Sequence, residues 1–257
     1  MSAIAGIYNF NGAPLDQELL IALGNQLGQR RSDGGREVMF TCVGMSYQAF
    51  HTNSESRRET QPLVSSRSQI LAWDGRLDNR KDMISQLRED LRSDDTDVAI
   101  VMAAYLKWGI EFLPRIIGDF ALSLWDPHTR SLLLARDPIG PRTLYYHQNN
   151  ERIIWSTELR PLLYLIDIDL DINEEYIADY LTRLPDPSQT PYKRIHAVPP
   201  ASVVLMQHGR LIVQQFWRLK SEPRIRYRTD NEYEEHFRYL FDEAVRCRLR
   251  LEGSAWW

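Results

Sequence analysis

Ser2 follows the initiator methionine in the opening stretch MSAIAGIYNFNG. A small second residue permits removal of Met1, which leaves a hydroxyl and a free α-amine on the same residue. That pair is the minimal N-terminal nucleophile. The amine, with a pKa of about 8, can take the proton from the hydroxyl as it attacks a carbonyl. Many chains begin Met-Ser without catalytic consequence, so the dipeptide decides nothing by itself. No rival centre stands out elsewhere. His51, His128, His147, His196, His208 and His236 are scattered, with no H-x3-H spacing and no paired acids, and no metal site is expected. Cys42 and Cys247 lie far apart, make no ligand pair and read as reduced thiols. Gly118-Asp119 and Arg136-Asp137-Pro138 lack the glycine-rich composition that cradles phosphate.

A nucleophile at the extreme N-terminus needs a strand to hold it. Residues 3–10, AIAGIYNF, are short, apolar and partly β-branched, and stop at the turn signal Asn11-Gly12. Residues 15–29 have helical spacing through Leu15, Leu19, Leu23 and Leu27, with Gly28 near the close. Strand-like runs occupy 37–50, 69–75, 120–126 and 131–137, the last two joined by a hairpin turn at 127–130. A second hairpin, TLYYHQ and RIIWSTE, turns at Asn149-Asn150. Between them, 96–109 is helical, with Thr96 as N-cap and Gly109 as stop. Many antiparallel strands with a few helices predict an α+β domain of packed sheets covered by helices.

The chain has 257 residues, 43% hydrophobic and 26% charged, with a net charge of -4. That length can bury a sizeable core, and that charge gives no reason to expect nucleic acid or an anionic membrane as partner. No run approaches the length of a membrane span, and residues 1–12 do not have the pattern of a signal peptide. The expectation is a soluble, cytoplasmic chain. Near residue 220 the composition changes. KSEPRIRYRTD, at 220–230, reads as a linker, and 231–251 as an amphipathic helix with Tyr233, Phe237, Leu240, Ala244, Cys247 and Leu251 on one face.

Three of these stretches together, AIAGIYNFNG, GDFALSLWDPHTRSLLLARDPIGPRTLYY and IIWSTELRPLL, resemble the amino-terminal glutaminase domain of asparagine synthetases. That domain is a class II, N-terminal-nucleophile amidotransferase. The resemblance covers residues 1–219 and implies a four-layer αββα sandwich with the nucleophile at the start of an inner strand. The segment 231–257 resembles the first helix of the ATP-using synthetase domain that follows in such proteins. ATP and magnesium would belong to that domain, and no cofactor is expected within these residues. The pyrophosphate-binding SGG-D-S loop of that domain does not follow the helix; the sequence reads EGSAWW instead.

The resemblance also implies where glutamine chemistry should sit. The family nucleophile is a cysteine, replaced here by Ser2, and Ala3 stands where glycine is usual, adding a methyl beside the reaction centre. The oxyanion hole of the family's Asn-Gly-Glu motif corresponds to Asp74 and Gly75. Asp74 would put a carboxylate where a donor should face developing negative charge, a loss of roughly 2.7–4 kcal/mol or more, and it reads as a turn residue before Gly75. The Arg that holds the substrate carboxylate corresponds to Tyr47, with Arg57 and Arg58 in the next loop. The acids that hold the substrate amine correspond to Arg76 and Asp95. Of the HRGPDG segment, Arg30, Asp33 and Gly34 are kept, as are the scaffold residues Gly6, Gly118, Phe120, Asp126, Arg136, Asp137, Gly140, Tyr145 and Glu158.

The altered residues are those that would touch glutamine. The pattern is similar to the branches lacking the cysteine, the β-lactam synthetases and lasso-peptide cyclases. It predicts a degenerate glutaminase-type domain of an ATP-dependent, amide-forming enzyme, with a synthetase domain or a precursor peptide as partner and self-association possible through the helix at 231–251. Two alternatives stay open: an active amidohydrolase using Ser2, as in asparagine biosynthesis, and a peptide-binding or regulatory module.

Overall fold

The computed structural model describes residues 2–27, 33–87, 91–92, 94–165, 171–182, 185–207, 209–220 and 225–249. The expected helix stop at Gly28, the kept Arg30, and Pro223, His208, Leu251 and the EGSAWW end lie outside these residues.

Among the described residues, twelve strands form two six-stranded antiparallel sheets. The first contains β1 (Ala3–Asn9), β2 (Gly35–Met39), β3 (Val43–Gln48), β8 (Tyr145–Gln148), β9 (Arg152–Ser156) and β10 (His196–Ala197), in the order β10-β8-β9-β1-β3-β2. The second contains β4 (Leu63–Val64), β5 (Ile70–Leu77), β6 (Gly118–Asp126), β7 (Ser131–Arg136), β11 (Ser202–Gln207) and β12 (Arg210–Gln215), in the order β12-β11-β7-β6-β5-β4.

Alternation of side chains along each strand explains the layers. On β1, Ile4 and Tyr8 face the inter-sheet core with Met45, Trp125, Leu134 and Trp155. Ala3, Ala5 and Ile7 face outward, against α1 (Gln17–Gln26) and α4 (Leu159–Leu165). On the second sheet, Leu71, Trp73, Phe120 and Leu122 face α3 (Asp97–Trp108) and the 3-10 segment Gly109–Arg115, with α2 (Arg80–Leu87) alongside. Strands buried on both faces read as unbroken apolar runs, as 120–126 and 131–137 do. The result is a four-layer αββα sandwich.

The two hairpins and the α3 caps stand as expected: Thr96 accepts from Ala99 N–H, and Gly109 takes a positive φ. The run 37–50 is not a single strand. It folds back at residues 40–42, where Phe40 N–H bonds Val43 O, and becomes β2 and β3. Helices α2, α4 and α5 (Glu174–Thr182) and strands β10 to β12 complete the fold without having been singled out beforehand. The expected C-terminal helix is α6 (Asp230–Arg246), started by a reciprocal capping box between Thr229 and Glu232. It carries no buried residue.

Candidate functional site

The end of β1 is tied to β9 before anything else is positioned. Thr157 accepts Ile4 N–H at its hydroxyl, 3.1 Å, and donates its own N–H to Ile4 O, 2.9 Å. Ser2 therefore projects from the edge of the central strand of the first sheet. Its Oγ accepts Phe50 N–H at 3.0 Å and lies 3.0 Å from the Tyr47 hydroxyl. Tyr47 stands on β3, directly opposite Ile4 in register. Burial and the nearby Glu59 carboxylate raise the Tyr47 phenol well above its usual range, so it stays neutral and can donate to Ser2. The Ala3 methyl packs in the α1/α4 layer and does not crowd the reaction centre.

Asp74 and Gly75 approach from the second sheet. Asp74 is not a turn residue: it lies inside β5, paired with Ala121, and is 4% exposed. A turn-forming dipeptide has been overridden by strand pairing and burial. Gly75 is required by closeness, since a Cβ there would come within 2.7 Å of Asp119 O and the Phe120 side chain. The Asp74 carboxylate is met by Arg142 at 3.2 Å. Burial still dominates over that cation and pushes the Asp74 carboxyl up to about 6.

The loop bearing Arg142 is itself held by charged hydrogen bonds. The Asp137 carboxylate accepts N–H groups from Phe120, Ile139 and Gly140, and the Arg136 guanidinium donates to the carbonyls of Gly140, Arg142 and Val198. Gly140 takes a φ of 77°, which a side chain would strain. Arg142 is thus delivered across the gap between the sheets onto Asp74.

Ser2, Tyr47, Asp74, Gly75 and Arg76 line one cleft of about 150 Å³. Asp95 does not line it. Its carboxylate turns back to accept Arg92 N–H at 2.6 Å, and Asp97 takes the inward place, holding Leu77 N–H and the Arg80 guanidinium. Arg76 is engaged by Asp78 at 2.6 Å and Asp119 at 2.9 Å. Arg58 pairs with Asp94 on the surface. Asp33 accepts His51 N–H at 2.7 Å and so fixes the loop beside Ser2.

Sequence reasoning passed over Arg142, Glu59 and Asp97, which also line the cleft. A charged residue inside the Pro/Gly loop 138–142 was the available signal for Arg142. Among the described residues, no group of three or more His, Cys, Asp or Glu is placed to hold a metal ion, and no helix is long and apolar enough to cross a membrane.

Ser2, at the start of a central strand of the first sheet, and Gly75, on β5 of the second, line one cleft of a two-sheet sandwich. Residues 1–217 match the glutamine amidotransferase domain family, and the chain belongs to it. Curated proteins similar to it include asparagine synthetases and amidases. The amidase chyE of Penicillium rubens is 25% identical over 231 residues, covering 88% of this chain and 34% of that protein. The glutamine-hydrolysing asparagine synthetase 3 of Bacillus subtilis is 25% identical, covering 70% of this chain and 30% of that one. The chain thus spans about a third of these relatives. Among solved structures, the glutamine phosphoribosylpyrophosphate amidotransferase of B. subtilis superposes with a TM-score of 0.57 at 16% identity, over 84% of this chain and 49% of that one. That likeness supports the fold.

Proposed function

We propose that this is a catalytically silent glutaminase-type domain of an asparagine synthetase-like, amide-forming protein of the macrolactam or peptide cyclase type. The observation that carries the reading is Asp74. A carboxylate clamped by Arg142 occupies the strand position beside Gly75, where an oxyanion would need a donor. Donors offset a developing negative charge only if they point at it; an acceptor there opposes the reaction. Tyr47 and Arg76 compound the loss, one a neutral phenol and the other already committed to two acids. In such a protein ATP and magnesium chemistry would belong to the synthetase part, outside the matched residues 1–217, and the glutaminase-type domain would serve folding, docking or recognition of a peptide.

A second reading is favoured by one specific arrangement: Ser2 Oγ is oriented by Tyr47 and Phe50 N–H at the cleft wall, and one relative is named an amidase. On this reading Ser2 attacks an amide in a reshaped pocket. Purified chain incubated with glutamine, and with a set of simple amides, separates the two. The first reading expects ammonia release at background in the wild type and in Ser2→Ala alike. Turnover that vanishes in Ser2→Ala would establish the second.

A further inference from the structure

The edge of a sheet is a row of backbone N–H and C=O groups without a neighbouring strand, and proteins guard such edges with shortness, charge or cover. Of the four edges of the two sheets, three are guarded in this way. β4 and β10 have two residues each, and β2 begins at Gly35 and carries Arg36 and Glu37. β12 is different. Its six residues, Arg210 to Gln215, include no proline and no charge after the first position. β11 pairs with it on one side, and on the other it ends the second sheet.

In an antiparallel pair every second residue turns its N–H and C=O toward the neighbouring strand. Phe216, just past β12, donates its N–H to Ala201 O at 2.9 Å. The even-numbered residues of β12 therefore face β11, and Leu211, Val213 and Gln215 direct their backbone groups outward. Among the described residues, no backbone group of these three is bonded outside the β11–β12 ladder. The side chains are apolar on both faces. Leu211 packs on the inter-sheet core, and Ile212 stands opposite Leu205 of the helix-side core. That is the pattern of a strand covered on both faces, yet Ile212 is 55% and Val213 48% exposed. Charge indicates what would complete the cover. Residues 209–220, GRLIVQQFWRLK, contain no acid, in a chain whose net charge is -4. Arg210 opens the strand and Arg218 and Lys220 follow its end. All three are exposed, and none is in an ion pair among the described residues. A second copy is a poor fit, because antiparallel pairing of two β12 strands brings the Arg210 end of one to the Arg218 and Lys220 end of the other.

We infer that β12 is a docking edge for an extended peptide segment of a partner, apolar at its centre and acidic at both ends, which adds as a seventh strand to the second sheet. Its backbone bonds the outward groups of Leu211, Val213 and Gln215, and its flanking carboxylates meet Arg210 at one end and Arg218 and Lys220 at the other. A strand of six residues spans about 20 Å, which sets the length of the apolar centre. The surface lies on the sheet edge, away from the Ser2 cleft, and does not depend on whether that cleft hydrolyses an amide.

The probe is an acetylated, amidated peptide of about ten residues, long enough to cover the strand and its flanks, with alternating valine and threonine between paired glutamates. The same peptide with lysines in place of the glutamates is the control. Amide hydrogen exchange of the intact chain, read residue by residue by NMR, should show Leu211, Val213 and Gln215 newly protected at saturation, by about tenfold or more. Ile212 and Gln214, already bonded to β11, should change far less. The lysine peptide should leave all five unchanged. A variant combining Arg210→Glu, Arg218→Glu and Lys220→Glu should exchange these preferences, with unaltered protection in β6 and β7 showing that it is folded. Three results overturn the proposal: no alternating protection in the wild type, equal protection by the lysine peptide, or protection of the chain alone that grows with its concentration, the mark of a second copy on the edge. Ammonia release is not a readout, so failure here leaves the hydrolytic reading standing, and failure there leaves this one.

Discussion

Replacing Asp74 by Asn should stabilise the protein at neutral and alkaline pH. The carboxyl is buried, and even with Arg142 at 3.2 Å its pKa moves from 3.8 up to about 6. The sign follows from linkage. A raised folded-state pKa means that the native state holds the proton more tightly than the unfolded chain, so stability is greatest below about 4 and is lost as pH rises through about 6. A displacement from 3.8 to about 6 corresponds to about 3 kcal/mol above both values. Asn resembles the protonated acid in shape and charge. Asp74→Asn should therefore match the wild type near pH 4 and exceed it by about 3 kcal/mol near pH 8, or about 6–12 °C in melting temperature for a domain of this size. Urea titrations at the two pH values are the assay. An Asn variant less stable than the wild type at pH 8 would refute the reasoning, because it would make the Arg142 pair more favourable than the burial of its carboxylate is costly.

Arg142→Met removes the matching cation and should destabilise by about 3–5 kcal/mol near pH 8 but far less near pH 4, where Asp74 is protonated; the same titrations read it. Glu59→Gln should flatten the fall in stability between about pH 4.5 and 7, again by about 3 kcal/mol, since the Glu59 carboxyl is raised from 4.5 to about 7. The exposed face of α6, with Phe237, Leu240 and Phe241 more than half exposed, is expected to drive concentration-dependent association. Sedimentation of the chain beside one ending at residue 220 checks it, and two monodisperse monomers would rule it out.

The hairpins β6–β7 and β8–β9 were legible because strong local signals, Pro127 to Arg130 and Asn149-Asn150, sit between apolar runs. The α3 caps were legible because capping is chemistry between neighbours. Asp74 was misread for the same reason: Asp-Gly carries turn chemistry locally, while its pairing with β6 and its burial are set by residues some fifty positions away. The partnership of Asp74 with Arg142 spans 68 residues, and no spacing rule reaches that far. Glu59 was invisible because its burial against the first turn of α3 is a tertiary, not a local, feature. Resemblance located the cleft, but which acid faces inward at the start of α3, Asp97 and not Asp95, was decided by packing.

The clasp between Ile4 and Thr157 joins residues 153 positions apart. During synthesis, β1 can meet β3 early but must wait for β9, which leaves the ribosome only after most of the sandwich has been made. At about 5–20 residues per second, that delay is roughly 8–30 s. Throughout it the start of β1 has its partner on the β3 side only. The clasp that holds the Ser2 end of β1 is therefore among the later contacts of the sandwich that the emerging chain can make.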